Sequence, residues 1–194
     1  MRKLGKTGVM VPILNLGGIM DTGANALLIK RAMDWGITYW DTAYGYMNGN
    51  SEIGFGKFLA RDPSMRKNLF IVTKTSGQRS AADLQEKLDT SLKRLGTDHV
   101  DLLFWHGLSD PDNLTEDVKA FAAEAKKQGK IKYYGFSTHS NMAKCLAAGA
   151  KLDWIDVIMT IYNFREMQKK EMDDAVEACH QAGIGLVAMK SQAK

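Results

Sequence analysis

The chain has little of what would place it outside the ordinary range of globular proteins. It has two cysteines, Cys145 and Cys179, in 194 residues. Each falls at an apolar position of an expected helix, so buried free thiols are expected rather than a disulfide or a thiolate metal site. No apolar run approaches the length that spans a bilayer, and the basic start Met1–Lys6 passes into Gly, Thr and Pro rather than an unbroken apolar segment. A cytoplasmic protein without membrane partners is therefore expected. Lys/Arg blocks interleaved with aromatics are missing as well. The net charge of +4 is spread along the chain, which argues against a nucleic-acid partner while remaining compatible with a phosphate-bearing small molecule. The four histidines, His99, His106, His139 and His180, show no ligand spacing within one element, and no metal is expected. Gly17-Gly18 lacks the third glycine of a dinucleotide fingerprint, and Gly54-Phe55-Gly56 falls inside a helix start. Asn113-Leu114-Thr115 fits the glycosylation pattern, but without a leader it reads as a loop into a helix capped by Thr115.

What is present is an alternation. Short apolar runs at 13–17, 37–41, 69–74, 100–106, 131–137, 154–160 and 184–190 are separated by longer stretches with helical periodicity. Most of the runs are apolar on both faces, as a parallel sheet covered by helices requires. Ser80 to Leu95 carries the clearest helical signal. Ser80 and Asp83 fit a capping box, Leu84, Leu88, Leu92 and Leu95 share a face, and Gly96 stops the helix. Gly36, Gly129 and Gly183 recur as helix-ending glycines before the next run. Ser140 is expected to open the helix of Met142, Cys145 and Leu146, and a further helix is expected over about 167–181. The first dozen residues read as a hairpin. With 45% apolar and 25% charged residues and no linker, residues 1–194 are expected to form one domain.

Periodicity alone leaves an open doubly wound sheet and a closed barrel both available. The polar residues decide between them. Five of the seven runs end in Asp41, Lys74, His106, Ser137 and Lys190, and ionisable groups gathered at the C-terminal ends of many strands are what a barrel active site needs. The expected fold is α/β, a (β/α)8 TIM-type barrel that is incomplete at about seven strands, with an N-terminal hairpin.

Asp41, Tyr46, Lys74 and His106 converge on one mouth in such a barrel, and together they suit carbonyl chemistry. A carbonyl that accepts hydride needs an acid for the developing alkoxide. A phenol is a slow donor at neutral pH, but an adjacent ammonium favours its phenolate form, and a carboxylate can fix that ammonium. A histidine N–H can orient the carbonyl oxygen. Taken singly, each residue has a plainer explanation: a turn aspartate, a loop tyrosine, a snorkelling lysine, a core histidine. Their joint recurrence at strand ends favours the functional reading.

Met1-Arg2-Lys3-Leu4-Gly5-Lys6-Thr7-Gly8, Trp40-Asp41-Thr42-Ala43-Tyr44-Gly45-Tyr46, Ser51-Glu52, Val72-Thr73-Lys74, His106 and Gly135-Phe136-Ser137-Thr138-His139 resemble, in order and spacing, the motifs of the aldo-keto reductase family. The resemblance implies an oxidoreductase that interconverts aldehydes or ketones and alcohols with NADP or NAD. Asp41, Tyr46, Lys74 and His106 would be its catalytic group. Tyr46 rather than Tyr44 is implied as proton donor, because the family's tyrosine lies five residues beyond its aspartate. The implied cofactor residues are Ser137, Thr138, Met189 and Lys190. Thr138 stands where the family has asparagine, Met159 where it has glutamine, and Met189 where it often has a stacking tyrosine.

The family's barrel has eight strands, and its phosphate contacts lie after the seventh. The 194 residues are expected to be part of a longer protein, or else to self-associate through open barrel edges. Bound alone, a nicotinamide cofactor is expected to be held weakly. Two further readings stay open: a non-catalytic cofactor-binding or regulatory barrel, and a Schiff-base lyase using Lys74 or Lys190.

Overall fold

The computed structural model describes residues 1–75 and 80–192. In chain order its elements are β1 (Arg2–Lys3), β2 (Met10–Val11), β3 (Leu16–Gly17), α1 (Ala26–Asp34), β4 (Tyr39–Asp41), α2 (Asn50–Leu59), β5 (Phe70–Thr75) and α3 (Ala81–Leu95). There follow β6 (Val100–Trp105), α4 (Glu116–Lys127), β7 (Ile131–Thr138), α5 (Met142–Gly149), β8 (Val157–Ile161), α6 (Lys170–Gln181) and β9 (Gly185–Met189). Strands β3 to β9 form one seven-stranded sheet in sequence order, every neighbouring pair parallel, and β1 pairs antiparallel with β2. The expected incomplete barrel with its hairpin is thus the observed architecture.

Strand alternation divides the core into two layers. Trp40, Ile71, Leu103, Tyr134, Phe136 and Ile158 point outward and join the helix residues Leu84, Leu88, Phe121, Cys145 and Cys179 in one cluster. Tyr39, Val72, Leu102, Phe104, Val157, Met159 and Val187 point inward and form a second cluster, completed by Leu4 and Val11 of the hairpin segment. The hairpin therefore plugs the inner layer, and Lys6 N–H is tied to the Gly183 carbonyl. Both cysteines are free and buried.

Local signals explain the helix ends. The Ser80 hydroxyl accepts the Asp83 N–H at 3.2 Å, and Gly96 takes the left-handed conformation after Leu95. Gly36, Gly129 and Gly183 are left-handed at φ 74°, 71° and 70°. Gly54 and Gly56 serve close packing: a Cβ at the first would lie 2.1 Å from Thr22 Oγ1, and at the second 2.2 Å from the Arg94 carbonyl.

Some boundaries differ from expectation. The first barrel strand shrinks to Leu16–Gly17 and leaves Ile13 and Leu14 exposed, since an edge strand has a neighbour on one side only. Ser140 does not cap α5; its carbonyl accepts the Thr138 hydroxyl, and left-handed Asn141 precedes the helix. Thr115 stands at the N-cap of α4, yet its hydroxyl makes no capping bond.

Candidate active site

Inward alternation on neighbouring strands carries the polar strand ends to one mouth. In β4, Tyr39 and Asp41 face inward; in β5, Phe70, Val72 and Lys74 do; β6 leads through Leu102 and Phe104 to His106. The register sets Asp41 beside Val72 and Lys74 beside Phe104, so Lys74 stands one inward step above Asp41's neighbour and can reach back to it.

Lys74 is buried, and all three of its observed partners belong to the same small region. Its Nζ donates to Asp41 Oδ1 at 2.5 Å and to the Thr42 carbonyl at 2.8 Å, and lies 3.5 Å from Tyr46 Oη. The same nitrogen is 4.8 Å from the Tyr46 ring centroid. The His106 ring meets Tyr46 edge-on, with centroids 5.5 Å apart. The structure therefore brings together Asp41, Tyr46, Lys74 and His106.

The electrostatics follow from burial. Burial raises the Asp41 carboxyl above the usual carboxylate range, against the opposing charge and hydrogen bond of Lys74. Desolvation first, then the charges of Lys74 and His139, push His106 down to about 4. At neutral pH the imidazole is uncharged and has one N–H to offer. His106 Nδ1 and Asp41 Oδ2 are buried without a hydrogen-bond partner among the described residues, as is the Tyr39 hydroxyl.

The loop that carries the phenol is held at several points. Thr42 Oγ1 and Ser51 Oγ are 2.7 Å apart, and Ser51 Oγ donates to the Gly18 carbonyl. Tyr44 N–H donates to the Lys74 carbonyl at 2.9 Å. Arg94 Nη1 donates both to the Tyr44 carbonyl and to Glu52 Oε2, while Glu52 Oε1 accepts the Thr73 hydroxyl at 2.6 Å. Between these anchors Tyr46 opens a 3-10 turn, in which Met47 and Asn48 take left-handed φ of 50° and 54°. The sequence shows Arg94 as one more base in the last turn of a helix, a place suited to the helix dipole, and its inward contacts leave no periodic trace.

The other expected site residues lie at the same end of the sheet. Ser137 and Thr138 close β7 and are buried. Ser137 Oγ accepts the Gly107 N–H at 3.0 Å, and Thr138 Oγ1 donates to the Ser140 carbonyl at 2.8 Å. Met189 is half-buried at the end of β9, and Lys190 follows it, exposed, with φ 54°. The Asn163 side chain donates to the Lys190 carbonyl at 3.1 Å. Desolvation, and then the charges of Lys190 and Lys74, lower the His139 imidazole below its ordinary range.

Comparison with known proteins gives a consistent result. The aldo/keto reductase family model matches residues 14–193. L-glyceraldehyde 3-phosphate reductase of Escherichia coli is 35% identical over 159 residues, covering 72% of this chain and 45% of that protein. Aldo-keto reductase AFTS1 of Alternaria alternata is 25% identical over 237 residues, covering 99% of this chain and 64% of that protein. Among solved structures, the holo form of aldo-keto reductase AKR11C1 from Bacillus halodurans superposes with a TM-score of 0.82 at 26% identity, over 97% of this chain and 65% of that one. The chain spans from under half to about two thirds of the length of these relatives.

Proposed function

The chain belongs to the aldo/keto reductase family, and from that premise we propose that it serves NAD(P)H-dependent reduction of an aldehyde or ketone, or the reverse oxidation, with Tyr46 as general acid. The observation that carries this reading is the placement of the Lys74 ammonium between the Asp41 carboxylate and the Tyr46 hydroxyl.

In this reading the carbonyl oxygen lies between Tyr46 Oη and the His106 ring. A reduced nicotinamide, when bound, supplies the hydride. The Tyr46 proton passes to the oxygen as it becomes an alkoxide, and the Lys74 ammonium stabilises the phenolate left behind. Asp41 holds Lys74 in place and balances its charge. Neutral His106 offers a hydrogen bond to the substrate oxygen without adding another full positive charge beside Lys74. Solvent returns a proton to Tyr46 after the alcohol leaves.

Of the residues proposed to hold the nicotinamide, Ser137 fits better than Thr138. Ser137 accepts from Gly107 and keeps its own hydroxyl proton for a carboxamide, whereas Thr138 has donated its proton to Ser140. Met189 would offer an apolar surface to the ring, and Lys190 a charge to a phosphate. The lyase reading is disfavoured at Lys74, because an amine committed to Asp41 and the Thr42 carbonyl is a poor nucleophile.

The test is the fall of NADPH or NADH absorbance with a panel of aromatic and aliphatic aldehydes and ketones. Carbonyl-dependent oxidation of the cofactor that is lost in Tyr46→Phe is expected. Borohydride trapping of a lysine adduct without cofactor turnover would replace the reading with the lyase. Cofactor binding without turnover across the panel would replace it with a binding barrel.

A further inference from the structure

We propose that Arg94 and Glu52 form a positioning pair that holds Tyr46 against Lys74, a role that rests on the reading of Tyr46 as proton donor. Neither residue touches the reacting groups. Together they connect the strand that carries the lysine to the loop that carries the phenol.

Glu52 lies in the first turn of α2 and is fully buried. One oxygen accepts the hydroxyl of Thr73, the residue next to Lys74 on the opposite face of β5. The other accepts Arg94 Nη1 at 3.1 Å. A buried carboxylate without a cation is strongly disfavoured, so this pairing orients the guanidinium as well as the acid. Arg94, one residue before the end of α3, then spends the same nitrogen on the Tyr44 carbonyl at 2.9 Å. Its guanidinium carbon lies 4.5 Å from the Tyr44 ring centroid, which places a planar cation against the aromatic face.

The far end of the loop is shaped around the same group. Gly49 has φ 90°, and a Cβ there would lie 2.6 Å from Arg94 Cζ, so the backbone after Tyr46 runs against the guanidinium. Tyr44 and Gly49 bracket Tyr46 in the sequence, and one guanidinium contacts both. Tyr46 itself lies across a 3.5 Å gap from Lys74 Nζ. A phenol held only by its own turn would sample other positions, and misplacement by about 1 Å can cost roughly a hundredfold in rate.

The experiment uses the 194-residue chain with 3-fluorotyrosine at its six tyrosines, read by fluorine NMR, the Tyr46 signal being identified by its loss in Tyr46→Phe. Lys74→Met is expected to move the Tyr46 signal, since it removes a charge 4.8 Å from the ring. In an Arg94→Met background that response should be lost, and Arg94→Lys should restore it. If Arg94→Met fails to fold, Glu52→Gln, which keeps the shape and removes the charge that orients Arg94, is read in the same way. A Tyr46 response to Lys74→Met that is undiminished in these backgrounds overturns the proposal. Steady-state kinetics on Arg94→Met and Glu52→Gln should show kcat lowered by roughly a hundredfold with the cofactor KM little changed, and Arg94→Lys should recover most of that loss. An unmodified protein without turnover counts against the reductase reading, while the fluorine response still decides whether Arg94 and Glu52 position Tyr46.

Discussion

Tyr44 and Tyr46, two residues apart, face different cations: the Tyr44 ring lies 4.5 Å from Arg94 Cζ, and the Tyr46 ring 4.8 Å from Lys74 Nζ. Gly45 separates them and turns the chain between the two positions. Only Tyr46 shares a group with Asp41 and His106.

Tyr46→Phe is therefore expected to lower carbonyl reduction by about a hundred- to ten-thousandfold, or roughly 3 to 5 kcal/mol of transition-state stabilisation. Cofactor binding should change little, because the ring remains. Tyr44→Phe is the control, since the contacts seen for Tyr44 use its backbone and ring. Steady-state rates and cofactor titration check both, and the reverse pattern would assign the acid to Tyr44.

Lys74→Met should suppress the same step, and the Tyr46→Phe/Lys74→Met double variant should be little slower than the slower single one, because residues that act as a unit are not additive. The substitution also leaves Asp41 buried without its cation. Removing one partner of a buried pair costs about 3 to 5 kcal/mol, so urea denaturation should show a large loss of stability. Additive rate losses in the double variant would mean that lysine and tyrosine act in separate steps.

The pH dependence of stability should carry a component from His106. Its imidazole titrates at about 4 in the folded chain against an ordinary value near 6.5. As pH falls below 6.5 the unfolded chain takes up the proton first, so stability present at neutral pH is lost between pH 6.5 and 4. The full loss is about 3 kcal/mol, reduced by the partial exposure of the ring. Urea midpoints of the native chain and His106→Asn at pH 7, 5.5 and 4.5 isolate it, since the carboxylates common to both cancel. Parallel curves would show that His106 is free to protonate in the fold.

Gly135→Ala should destabilise the sheet by about 3 kcal/mol or more, because the new methyl would lie 1.7 Å from the Val157 carbonyl and 3.2 Å from the Phe104 ring. Phe104 fills the inner layer where residue 135 has no side chain, and β7 cannot retreat without losing its pairing to β8. Gly17→Ala meets nothing within 4 Å and is the control. Equal urea midpoints for the two variants would show that β7 and β8 can separate at no cost.

Much of this chain was legible before any coordinates. The glycines at 36, 96, 129 and 183 and the serine at 80 act through their own backbone or a neighbour three residues away, so their signals are local. The succession of apolar runs and helical stretches was enough to predict a parallel sheet, and the polar or ionisable residues ending five of the runs were enough to indicate a mouth. Local reasoning failed where a neighbour in space takes over. Trp154, expected in a strand, instead stacks on Tyr134 at 5.8 Å, and β8 begins at Val157. Ser140 yields the start of α5 to Asn141, which takes the N-cap position in a left-handed conformation.

The sequence by itself determined which residues alternate, where the helices stop, and that a carboxylate, a phenol, an amine and an imidazole lie at strand ends or in the loop beside them. Only the tertiary structure decided that Glu52 is buried and that Arg94 spans from α3 to the loop. The physical reason is range. Caps, turns and periodicity are set within a few residues, whereas Thr73 and Arg94 lie 21 and 42 positions from Glu52 and meet it only after the strands have taken their register.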